Sequence, residues 1–144
     1  MSSDEEDLNK LAIRGQVLGQ QGQALQNQLE AMQETIADIN ATIETLENLP
    51  KAKEEGRLPI GSGVYITCQK INTDNVYVSV GAGFIVSKKL SEAQDILRKR
   101  LAAVSEGFDK SQKNLVLVNR QLQDVNAQAN AIAARMENVR PAEG

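Results

Sequence analysis

Histidine and tryptophan are absent from this 144-residue chain, cysteine occurs once, at Cys68, and only four aromatic residues are present: Tyr65, Tyr77, Phe84 and Phe108. Without histidine there is no Ser-His-Asp or Cys-His nucleophile pair and no imidazole metal ligand. A lone cysteine closes no internal disulfide and makes a poor soft-metal site. No run approaches the ~20 apolar residues that a membrane span needs. The first residues, Met1-Ser2-Ser3-Asp4-Glu5-Glu6-Asp7, are acidic, the reverse of a secretory leader's basic start. These absences predict a cytoplasmic protein that is not an enzyme and needs no metal or other cofactor. Four aromatics are few for a compact core of this length and suit the packing of helix seams better.

The net charge of −3 is unevenly spread. Residues 1–49 hold nine acidic side chains and two basic ones, and no basic stripe follows them, so nucleic acid and anionic membrane are poor partners. The strongest pattern is periodic. Leu8, Leu11, Gly15, Leu18, Gly22, Leu25, Leu29, Met32, Ile36, Ile39, Ile43 and Leu46 are spaced alternately by three and four, the signature of a coiled-coil stripe, and Pro50 stops the run. Leu97, Leu101, Val104, Phe108, Ser111, Leu115, Val118, Leu122, Val125, Ala129, Ile132, Met136 and Val139 repeat the pattern. Ser91 with Gln94 reads as a capping box at the start of this second arm, and Pro141 ends it. Each arm of about 40 to 50 residues would be roughly 60 to 75 Å long.

Between the arms the period falls to two. Val64, Ile66 and Cys68 alternate with polar or aromatic residues, as do Val76, Val78 and Val80, and the tetrapeptide Asn72-Thr73-Asp74-Asn75 between them reads as a hairpin turn. Further short strands are predicted at Leu58-Pro59-Ile60 and Phe84-Ile85-Val86, beside the glycine turns Gly61-Ser62-Gly63 and Gly81-Ala82-Gly83. Those glycine triplets lack full phosphate-loop spacing. Cys68 alternates with Val64 and Ile66 and is read as a small core residue.

A short block between equal arms predicts that they fold back on each other. The expected register sets Ile43 opposite Leu97, Met32 opposite Phe108, Leu18 opposite Leu122 and Leu8 opposite Ile132. The fold class is therefore α+β, mainly α: residues 5–49 form one arm of an antiparallel coiled coil, 57–88 a β-hairpin block, and 91–140 the second arm. Four short strands expose edges that further chains could pair with or close into a barrel; the alternative is a small sheet packed on its own helices. At the far end, Ile13 and Val17 lie off the seam of the first arm, beside Gly15, Gly19 and Gly22, which weaken a helix. This end reads either as a clamp for irregular apolar partners or as a frayed terminus with stray hydrophobes. Val116 and Leu117 also lie off the seam.

Helix arm, two small hairpins and helix arm resemble the layout of an α-class prefoldin subunit, of archaeal type. Leu58 to Tyr65 looks like that family's first hairpin, and Thr73 to Gly83, running into Phe84-Ile85-Val86, like its second. The resemblance covers nearly the whole chain. It implies an ATP-independent chaperone subunit in which two α-class and four β-class subunits join their hairpins into an intersubunit β-barrel. Coiled-coil tips then capture unfolded polypeptides for a group II chaperonin. Matched onto this chain, assembly falls to Val64, Ile66, Cys68, Val76, Val78, Val80, Gly81 and Gly83. Client contact falls to Leu8, Leu11, Ile13, Val17, Leu18, Ile132, Met136 and Val139. The competing expectation is a self-assembling filament or scaffold of the same architecture.

Overall fold

The computed structural model describes residues 3–51, 56–69 and 71–139. Helix α1 spans Ser3–Asn48 and ends in a 3-10 turn, Leu49–Lys51, around Pro50. Strands β1 (Gly56–Gly61), β2 (Val64–Cys68), β3 (Asn75–Gly81) and β4 (Phe84–Lys89) follow, and helix α2 spans Leu90–Val139. Asp4, Glu5 and Glu6 occupy the first turn of α1, where carboxylates favour the helix dipole. Pro141 and the side chain of Val139 lie outside the described residues. The chain divides into two compact units, one of residues 1–33 with 107–144, the other of residues 34–106.

In the first unit the two helices pack antiparallel in the predicted register. A Cβ placed on Gly15 would lie 3.5 Å from Val125 Cγ1 and 3.9 Å from Leu122 Cδ1; one on Gly22 would lie 3.7 Å from Val118 Cγ1. One on Gly107 would lie 3.5 Å from Met32 Cε, and the Arg135 guanidinium donates to Asp4 Oδ1 at 3.0 Å. Each of the predicted seam positions from Leu8 to Met32 and from Phe108 to Met136 is buried or half-buried. Leu18, Ser111 and Val125 are the most enclosed. A two-helix seam hides one stripe of each helix and leaves the rest wet, so stability here depends on the continuity of the stripe.

The second unit holds the end of α1, the hairpins and the start of α2. Ile39 and Ala93 are buried, Ala93 only 1% exposed. β4 passes straight into α2 at Leu90, so Ser91 falls within the first turn of the helix and does not cap it. The strands pair as β1 with β2 and β3 with β4, in two separate two-stranded sheets. This corrects the pairing expected across Asn72–Asn75, which instead links one hairpin to the next; within it the Asp74 amide donates to Asn72 Oδ1 at 2.9 Å, an Asx turn.

The reversals are made by the glycine triplets. All of Gly61, Ser62 and Gly63, and all of Gly81, Ala82 and Gly83, have positive φ. The two hairpins are near copies. Each has its register shift just before the turn, between Pro59 and Gly61 in the first and between Ser79 and Gly81 in the second. Positive φ suits glycine and is costly for alanine, about 1–2 kcal/mol, whereas asparagine tolerates it. Ala82→Asn is therefore expected to stabilise the second hairpin by roughly 0.5–1 kcal/mol, measurable as a rise in denaturation midpoint with unchanged slope.

Candidate assembly and client-binding surfaces

The hairpins bury little against their own chain. On the first, Leu58, Ile60, Val64, Tyr65 and Ile66 are all exposed, and Leu58 and Ile66 stand directly across from each other. On the second, Val76, Val78 and Val86 are half-buried, while the opposite face presents Tyr77, 78% exposed, with Ile85. Arg100 of α2 donates to the Ser79 carbonyl, which ties β3 to the helix. Val80, Phe84 and both glycines of the turn are exposed, and Cys68 is half-buried.

Of the residues expected to assemble, Val64, Ile66, Val80, Gly81 and Gly83 thus lie open, and Cys68, Val76 and Val78 are half-buried. Tyr65, Tyr77, Phe84 and Ile85 belong to the same exposed apolar set and were missed by the sequence reading. The alternation itself contains the signal: Tyr77 and Ile85 occupy the positions between the half-buried valines, which puts large apolar residues on both faces of one hairpin. Two-stranded hairpins of this composition offer edge backbone groups to solvent and leave large apolar side chains uncovered by their own chain.

The helix ends of the first unit hold the other candidate surface. Ile13, 64% exposed, and Val17 form an open pair one turn apart on α1. Leu8, Leu11, Ile132 and Met136 are half-buried in the seam, and Leu18 is only 6% exposed. A shallow hollow of about 480 Å³ opens beside the missing side chain of Gly15, floored by Leu8, Leu11, Leu122 and Val125 and edged by Asn9 and Asn126. The structure thus offers Ile13 and Val17 directly, whereas Leu18 becomes available only where the helices part.

Among the described residues, no helix is long and apolar enough to cross a membrane, and no group of three or more cysteine, aspartate or glutamate side chains could hold a metal ion. Two long helices joined in sequence by two exposed two-stranded hairpins define a class of protein, the coiled-coil subunit with a β-hairpin block. The family model for the prefoldin subunit matches residues 18–135, and the chain belongs to the prefoldin family. It is 34% identical over 135 residues to prefoldin subunit alpha of Pyrococcus horikoshii, covering 92% of this chain and 91% of that one. It is 30% identical over 131 residues to prefoldin subunit alpha of Methanobrevibacter smithii, covering 90% of each. The cryo-EM structure of filamentous PFD from Methanocaldococcus jannaschii shares the fold, with a TM-score of 0.67 at 19% identity over 78% of this chain and 94% of that one.

Proposed function

We propose that this chain is the α-class subunit of an ATP-independent holding chaperone of the cytoplasm. The observation that carries the reading is the exposure of apolar side chains on both hairpins of a prefoldin-family chain. In this reading the hairpins of two α-class and four β-class subunits close into a common β-barrel. The ends of the helix pairs hold non-native polypeptide, which passes to a group II chaperonin. Ile13 and Val17 offer first contact, and the glycine-softened helix start lets Leu8, Leu11, Leu18, Ile132 and Met136 follow. Each such contact is weak. Several on one body raise the effective concentration of the next, so holding is firm without any single tight site, and release needs no nucleotide.

Dilution of a chemically unfolded protein into buffer without ATP tests this. Light scattering is expected to fall near stoichiometric amounts of the chain, most strongly with a β-class partner. Removal of residues 1–20 and 126–144 is expected to abolish the protection and leave assembly intact; full protection by the trimmed protein would refute the placing of client contact at the helix ends. The filamentous relative supports a second reading, self-assembly into an open polymer. A ladder of masses from the chain alone favours that polymer, and a discrete small species favours the chaperone.

A further inference from the structure

The seam accounts for one side of α2 and the hairpins for its first turns, yet a third surface has no role in either. Val116 and the 53%-exposed Leu117 face away from the partner helix, in a hollow of about 620 Å³ lined also by Asp109, Gln112, Lys113 and Arg120. Lys113 and Arg120 lie seven residues apart, two helical turns or about 10.5 Å, and they bracket the apolar pair. Among the described residues neither has a carboxylate within ion-pair distance. Two unpaired cations around exposed apolar atoms are a matched set for the opposite pattern.

We infer that this face of α2 docks a helix of a partner protein carrying two carboxylates two turns apart with an apolar residue between them. A helix lying along α2 repeats its side chains with the same rise, so carboxylates two turns apart meet Lys113 and Arg120 together, and the residue between them drops onto Val116 and Leu117. Asp109, one turn before Lys113, sets the direction: it accepts a cation from the partner helix one turn beyond the first carboxylate and disfavours the reversed arrangement. The surface is distinct from client holding, which acts at the helix ends and selects no charge pattern.

The test uses the full chain and a labelled 18-residue helical peptide with two glutamates seven apart and a leucine between them. Fluorescence anisotropy is expected to show saturable binding that weakens with added salt. Lys113→Glu with Arg120→Glu is expected to lower affinity for this peptide at least tenfold and to create binding of the version with lysines for glutamates. Leu117→Ser, at an exposed site off the seam, is expected to lower affinity several-fold with unchanged far-ultraviolet dichroism. Equal binding of the acidic peptide by wild type and the charge-reversed chain, or no binding by wild type, would overturn the assignment. So would a parallel loss of aggregation suppression in these variants, which makes the patch client surface, or a drop in the mass of the chain alone, which makes it a contact between copies.

Discussion

Ile66→Asp combined with Val80→Asp is expected to convert the assembled particle into lone subunits with undiminished helix content. Both side chains are exposed in the single chain, so the change costs the isolated subunit little. In a closed barrel the same positions are covered. Each apolar side chain buried there contributes roughly 1.5–3 kcal/mol, and an unpaired carboxylate left in its place adds a desolvation cost of several more. Assembly should weaken by on the order of a thousandfold or more, since about 4 kcal/mol already corresponds to that factor. Sedimentation velocity with far-ultraviolet dichroism on the same samples reads both halves of the expectation. An unchanged mass would remove these hairpins from the interface.

The second large effect is expected to have opposite signs on stability and function. Gly15, Gly19 and Gly22 are ordinary helical residues, since positive φ among the described glycines is confined to Gly61, Gly63, Gly81 and Gly83. A methyl group fits at all three: it would make van der Waals contact at Gly15 and Gly22 and meet nothing within 4 Å at Gly19. Nothing steric therefore requires glycine, and each costs about 1 kcal/mol relative to alanine. The triple Gly→Ala variant should be more stable by roughly 2–3 kcal/mol, with slower amide exchange over residues 8–18. It should also hold unfolded protein less well, because Leu18 and its seam neighbours stay covered. Wild-type holding by a demonstrably stiffened helix would show that Ile13 and Val17 suffice without any parting of the helices.

The seam was legible in the sequence because a strict three-four alternation leaves one stripe, and antiparallel packing of two such stripes leaves few registers. Gly15 lies beside Val125, and Gly22 beside Val118, as that reasoning required. Strand pairing was not legible from alternation, although the family resemblance set the hairpins at Leu58 to Tyr65 and from Thr73 into Phe84-Ile85-Val86, as they are found. Alternation identifies a strand and its faces but not its neighbour, and the polar tetrapeptide Asn72–Asn75 competed with the glycine triplets as a turn. The triplets won because a two-residue reversal needs consecutive positive φ values, which Gly63 and Gly83 supply cheaply even with Ser62 and Ala82 before them. At the helix ends the heptad pattern did foretell accessibility: Ile13 and Val17, off the seam, are exposed, and Leu18, on it, is enclosed. Leu18 is as apolar as Ile13, and only the heptad position decides that one is enclosed and the other open.

The passage from β4 into α2 without an intervening loop has a mechanical consequence. A loop would act as a swivel, letting strand and helix turn independently. Here Lys89 and Leu90 are neighbours in two regular elements, and Arg100, about three helical turns along, grips the Ser79 carbonyl of the adjoining strand. Two attachments along the axis resist twisting where one would not. The root of α2 therefore behaves as a cantilever clamped into its hairpin, and a sideways force on these first turns is passed to the strands as torque.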